Sequence, residues 1–294
     1  MGDNNWRTLS VRGLMGAMFP NGSAANVRDY VAAMSLLGND FLPHSLTLTV
    51  HNDGIPKLLS ALNTCLWSKG EHMVDPVTDQ IRMEGIMTVI SSWAVSEEGD
   101  MLEAAVEGRK RSRHSVGQGE TSEETALREW NALPAKWASV TRILSPSTRG
   151  LLVDWRNIYR QMWGAGNVEE YLAGVAWTWD YYAGRPVDQG WMFTAPLPPL
   201  WSDIITYGNN TVVPYVSPPS IVYSTALPSW VHLLSVLPVD SITRLLPADK
   251  HSFMYRHPWF WPSSWSLFDV GRNQMWECEP VIPILPEALL RTFV

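Results

Sequence analysis

Gly38-Asn39-Asp40-Phe41-Leu42-Pro43-His44 sets a carboxamide, a carboxylate and an imidazole in one short string. A carboxylate is a hard-oxygen donor suited to a divalent cation. A centre of two such ions, about 3.5–4 Å apart, needs several carboxylates held together. One Asp cannot hold that pair, and only Asp3 and Asp29 precede Asp40. On its spacing alone Asp40 reads as a turn residue bonding its own backbone. His44 either orients Asp40, approaches a phosphate or is a satisfied structural histidine. Other chemistries lack their residues. His251 and His257 are not at metal-ligand spacing, Cys65 and Cys278 form no CxxC pair, and no Gly-rich phosphate loop or nucleophile elbow occurs. Arg109, Lys110, Arg111 and Arg113 form the one dense basic run, read as a solvated loop or a phosphate contact.

Helical periodicity leads into the string and resumes after it. Residues 26–38 repeat Val27, Tyr30, Val31, Met34 and Leu37 at three- and four-residue steps, with Asn26 as cap and Gly38 as stop. A helix from Asp53 accepts Pro56 in its first turn and aligns Leu58, Leu59, Leu62 and Leu66. A third starts near Arg82 and continues through Glu97 and Glu98 to Ala105, with Gly99 as an irregularity and Glu84, Glu97 and Glu98 on a solvated face. Residues 108–124 are rich in charge, Gly and Ser, the composition of a flexible linker. Thr121 and Glu124 form a capping-box pattern that restarts a helix through Leu127, Trp130 and Leu133. Residues 148–163 predict a helix, as do those from the Asn167 cap to Gly184. Prolines crowd residues 186–228, which predicts an irregular loop system with at most short elements. Short helices over 229–237 and from Asp240, a hairpin around Gly271 and a last helix near Pro286 complete the chain.

Composition bounds what these elements build. With 294 residues, 46% of them hydrophobic, the chain buries a real core and is not disordered overall. A net charge of −7 gives no global basic field, so any polyanion site must be local. No apolar run is long enough to span a membrane, and the first residues carry no secretory pattern, which points to an intracellular, cytoplasmic or nuclear chain. The expected fold is mainly α, an irregular multi-helix domain with long Pro/Trp-rich loops and a little β near the C-terminus. Sixteen tryptophans, against nine tyrosines and seven phenylalanines, should mostly serve packing.

The 38–44 string resembles the GNDFLPH signature of the Xrn family of 5′→3′ exoribonucleases. Arg28-Asp29-Tyr30-Val31 is similar to that family's DDFV-like lead-in. Tyr171 to Gly174, Trp177 and Tyr181-Tyr182-Ala183-Gly184 resemble its YxxGLxWxxxYYYxG block. Trp191 stands as the second Trp of its SWxW element, with Gln189 in place of the first. Leu234 to Pro238 resembles QLMxVLP, and Asp269-Val270-Gly271, Trp276-Glu277 and Ile282-Pro283 resemble DxNGK, WE and IPF.

The resemblance implies a remnant of the nuclease-domain end over 1–50 and an Xrn-like helical domain over 51–294. It makes Asp40 the last of the family's acidic metal ligands. Trp191, His44 and Asn39 become contacts to nucleic acid, and the basic run of Arg109, Lys110, Arg111 and Arg113 a possible further one. The implied substrate is single-stranded RNA with a 5′-monophosphate, cut by two-metal hydrolysis with magnesium or manganese. The family's other acids lie in an N-terminal region with no counterpart before Asp40. The chain is therefore expected to need a separate N-terminal nuclease chain, or an upstream continuation of its own reading frame, to be active. The other reading is a non-catalytic RNA- or protein-binding scaffold derived from such a nuclease.

Overall fold

The computed structural model describes residues 8–19, 24–111, 121, 139–148, 150–272 and 275–293, with the backbone alone over 107–111. Its described part is mainly helical, with one two-stranded antiparallel sheet near the C-terminus. The residues group into two units. One comprises Met1–Glu98, Ala165–Arg185 and Phe193–Pro219; the other comprises Gly99–Gly164, Pro186–Met192 and Ser220–Val294. Residues 1–50 and 51–98 thus fall in the same unit.

In the first unit the apolar spacing of residues 26–38 becomes the helix Ala24–Ala33 and the 3-10 turn Met34–Leu37. The helix begins two residues before Asn26, so Asn26 is inside it and not its cap. Its inward face differs from the expected one: Asp29, Ala32 and Ala33 are buried, and Val27, Tyr30 and Val31 only half so. The helix Gly54–Cys65 starts after Asp53 and buries Leu58 and Leu62, as the sequence predicts. Asn167 caps the helix Val168–Tyr182, its Oδ1 accepting the Glu169 and Glu170 N–H groups at 2.8 and 3.2 Å. The run from Arg82 divides into helices Met83–Ala94 and Glu97–Arg111, broken at residues 95–96; Gly99 lies inside the second. That helix takes in the first four residues of the stretch read as a linker; the rest of that stretch except Thr121, and the helix expected beyond it, lie outside the described residues.

Prolines do not exclude a regular helix from 186–228. None occurs between Pro199 and Pro214, and the ten-residue helix Trp201–Asn210 occupies that gap. It packs along Met83–Ala94, with the Trp93 and Trp201 rings 5.4 Å apart.

The second unit has its own core of Val231, Leu234, Ile242, Phe253 and Leu290, drawn from helices Ser229–Val236, Val239–Leu245, Ser252–Arg256 and Glu287–Arg291. The Phe253 ring meets Phe293 edge-on at 4.2 Å, and Trp261 donates Nε1–H to the Leu237 carbonyl at 3.1 Å. Strands Ser266–Phe268 and Glu279–Val281 pair antiparallel around the turn that holds Gly271, as the hairpin pattern predicts. The continuous helix expected over 148–163 does not form. Leu151 instead bridges Leu144, and helical structure starts only at Trp155–Asn157 and widens into a π-turn over Ile158–Met162. The wider turn, closed by Trp163 N–H on the Ile158 carbonyl, buries Trp155, Tyr159 and Trp163 and leaves Met162 63% exposed.

Glu97 departs most from expectation. Glu84 is solvated, as predicted, but Glu97 is only 2% exposed. Its carboxylate accepts the Trp201 and Ser202 N–H groups and the Ser202 hydroxyl, supplying the cap that Leu200 cannot give to the helix Trp201–Asn210. Burial raises its pKa above the ordinary glutamate value, and the hydrogen bonds offset only part of that. The folded chain therefore holds this proton more tightly than the unfolded one. The stability this adds is complete below about pH 4.5 and is lost as pH rises through the folded value. Glu97→Gln keeps an acceptor for a backbone N–H without the charge. Denaturant melts of both proteins should show the Gln variant gaining on the wild type as pH rises from 4.5 toward neutrality. A constant difference across that window would contradict the assignment.

Candidate functional site

The 38–44 string folds as a tight presenting turn. Gly38 adopts φ 86° and ψ 148°, and a Cβ there would lie 2.6 Å from His44 Cβ and 2.7 Å from His44 Cα, so only glycine lets the turn close. Asn39 Oδ1 accepts the N–H groups of Phe41 and Leu42, each at 2.9 Å, and its own N–H donates to the Leu42 carbonyl at 3.0 Å. Asn39, expected to touch nucleic acid, thus spends its carbonyl oxygen holding the turn. His44 Nδ1 lies 2.9 Å from the Ser45 carbonyl and donates to it. Leu42 is buried beneath, and Asp40 stands exposed at the crest.

An aromatic floor lies beside Asp40. Phe41 meets Trp177 edge-on at 4.9 Å and Tyr181 at 5.0 Å, and its ring is 6.4 Å from Tyr182. Trp177 is buried, and Tyr181 stacks on it with centroids 5.4 Å apart and planes 6° from parallel. Tyr181 and Tyr182 meet at 64° and remain 46% and 50% exposed. Partial burial raises the Tyr182 phenol pKa, and the neighbouring Asp40 charge adds to that.

Asp29, second in the lead-in to the string, is wholly buried and fully answered. It accepts from Trp67 Nε1 at 2.8 Å, from His72 Nδ1 at 2.7 Å and from the Val74 N–H at 2.7 Å. Three of its roughly four acceptor sites thus serve the fold, from a wholly buried position. Sequence reading missed this role because the donors come from residues some forty positions away. Close by in the chain, Arg28 pairs with Asp79 at 3.6 Å. Arg185 binds Asp79 as well and forks onto Asp180 at 2.6 and 2.8 Å. Trp179 donates Nε1–H to the Asp79 carbonyl at 2.8 Å, with the Arg185 guanidinium 5.4 Å from its ring.

Trp191 belongs to the second unit, on a loop fixed by a buried carboxylate. Asp188 Oδ1 accepts the Tyr223 N–H at 2.7 Å and the Gly190 N–H at 3.3 Å, and Gln189 N–H donates to the Tyr223 carbonyl at 2.7 Å. Gly190 lets the Tyr223 ring approach to where a Cβ would lie 2.4 Å away. Trp191 itself is half-buried, a ring on a braced loop. Of the basic run, Arg109, Lys110 and Arg111 have helical backbone; their side chains and all of Arg113 lie outside the described residues.

Among the described residues, no group of three or more His, Cys, Asp and Glu side chains comes together as a metal site. Asp40, assigned by resemblance to such a site, finds no ion-pair partner among the described residues. The residues described therefore do not fit a two-metal centre by themselves. No helix among them is long and apolar enough to cross a membrane.

Residues 24–143 match the family model described as the Xrn1 helical domain, a span that takes in the presenting turn. No curated protein matches the chain.

Two substitutions test this geometry. Gly38→Ala should cost about 1–3 kcal/mol of stability, since Ala must accept a backbone rarely open to it and displace His44. Asp29→Asn leaves at least one of three buried donors unanswered and should cost a further, separable 1–3 kcal/mol or so. Both are read from the midpoint of denaturant unfolding; an unchanged midpoint in either variant refutes the corresponding contacts.

Proposed function

We propose that this chain is an Xrn-like helical-domain component of a 5′→3′ exoribonuclease, acting in RNA degradation with a separate nuclease chain and cutting no RNA alone. The match over residues 24–143 supports the family side of this reading. The observation that carries the rest is the presenting turn: a carboxylate held rigidly at the crest of an aromatic floor, without the further acids that hydrolysis needs among the described residues. Magnesium or manganese belongs to the completed assembly, where another chain supplies most of the ligands. The substrate is single-stranded RNA carrying a 5′-monophosphate. Trp191 offers it an aromatic face on a braced loop, a sequence-tolerant platform for one base.

A second reading is a non-catalytic RNA- or protein-binding scaffold; the net charge of −7, which gives the chain no basic field of its own, favours its protein-binding form. The two differ in what a partner adds. Purified chain incubated with 5′-monophosphorylated single-stranded RNA and magnesium or manganese should leave the RNA intact, and processive degradation by the chain alone would overturn the proposal. Where RNA binding is measurable, Trp191→Ala should weaken it by about 1–3 kcal/mol. An unchanged affinity removes the stacking role.

A further inference from the structure

The loop that carries Trp191 rests on the last helix of the chain. The segment Pro186–Met192 enters the second unit between two stretches of the first, so what it touches in the second unit decides where Trp191 sits there. Asp188 and Gln189 tie it to the Tyr223 backbone, and the Trp191 N–H reaches the Asp188 carbonyl at 3.5 Å. Behind that backbone stands the helix Glu287–Arg291. A Cβ on Gly190 would lie 2.4 Å from the Tyr223 ring and 2.7 Å from Glu287 Cγ, so both side chains close on the residue next to Trp191. The Arg291 guanidinium covers the Tyr223 ring at 4.4 Å and pairs with Glu287 at 2.7 Å. It also donates to the Thr225 carbonyl and, at 3.5 Å, to the Thr225 hydroxyl.

These contacts exceed what seating the helix requires. Leu290 is buried in the Phe253 core and Leu289 packs against it, which fastens the helix without either charged residue. Glu287 and Arg291 stand one turn apart and reach the loop instead, with side chains only 17% and 22% exposed. A solvated ion pair does little for a fold. One whose guanidinium also stacks on a ring and forks onto a neighbouring carbonyl holds that ring in one plane. A platform fixed before its ligand arrives spares the ordering cost of binding. We propose that Arg291 and Glu287 are positioning residues for Trp191: through Tyr223 and Gly190 they hold its loop ready for a nucleic-acid base to stack. This rests on the RNA-stacking role given above to Trp191, and it adds that the last helix controls that role.

The test uses the full chain with its tryptophans replaced by 5-fluorotryptophan and read by fluorine NMR, Trp191→Phe identifying the Trp191 signal. Arg291→Lys keeps the charge but neither forks nor stacks as a plane. It should shift or broaden the Trp191 signal and leave in place that of Trp261, whose ring lies against Phe253. Glu287→Gln, which keeps the side chain's bulk against Gly190, should move the Trp191 signal the same way by less. Arg291→Lys should also weaken binding of 5′-monophosphorylated single-stranded RNA by about threefold or more, and make no further difference in a Trp191→Ala background. A Trp191 signal unmoved in both variants overturns the proposal. Equal movement of the Trp261 signal does so too, because the pair then serves the core. A loss of affinity that persists in the Trp191→Ala background assigns Arg291 to the RNA itself and replaces its positioning role. Trp191→Ala without effect on affinity overturns the stacking role on which the proposal rests, whatever the fluorine signals do. Weaker binding by Trp191→Ala, with nothing moved by Arg291→Lys, sinks this inference alone.

Discussion

A carboxylate taken wholly out of water must be answered by donors, and much of the first unit is arranged around that demand at Asp29. Its three bonds draw the Trp67 indole, the His72 imidazole and the Val74 N–H onto the helix Ala24–Ala33. Those residues lie between the helices Gly54–Cys65 and Met83–Ala94, so one buried charge sets where both stand against the first. Three donors on two oxygens offset a desolvation cost of several kcal/mol, and removing any of them exposes that cost. The presenting turn leaves the C-terminal end of the same helical segment, so its position follows from this anchor.

Two other buried acids are used in the same way. Glu97 caps a helix more than a hundred residues away in the chain, and Asp188 braces the Trp191 loop through backbone N–H groups. Asp40 differs from all three in being exposed and uncommitted among the described residues. The chain thus turns these three acids inward as structural acceptors and leaves Asp40 at the surface. That contrast is what makes Asp40 the group to test for function.

Patterns confined to neighbouring residues were legible in the sequence. The Asn167 cap, the leucines of Gly54–Cys65, the hairpin around Gly271 and the stop at Gly38 all depend on contacts within a few positions. The presenting string was legible as a string, because Asn39 answers the N–H groups two and three residues ahead. What was not legible depended on distant partners. Nothing near Glu97 signals that it will meet Trp201, and nothing near Asp29 signals Trp67 or His72. The π-turn was hidden for a different reason: Trp155, Tyr159 and Trp163 are four apart, a spacing that an α-helix and a wider turn both satisfy. Trp201–Asn210 was masked by the prolines on either side of it, which limit a helix from outside without forbidding one between them.

The Asp79 junction has a consequence for the order in which the chain acquires structure. It ties residue 79 to Trp179 and Arg185, separations of 100 and 106 positions, and the stretch from Gly99 to Gly164 that intervenes belongs to the other unit. During synthesis the helices up to Glu98 emerge long before their closing segment does. They must wait, with the faces that Val168–Tyr182 and Trp201–Asn210 will cover still open to water. Long-range closure of this kind is slow relative to local helix formation, and the interval leaves apolar surface available to chaperones or to other nascent chains. Interleaving the units therefore keeps the helices made first waiting for segments that emerge only after the stretch Gly99–Gly164 has been made.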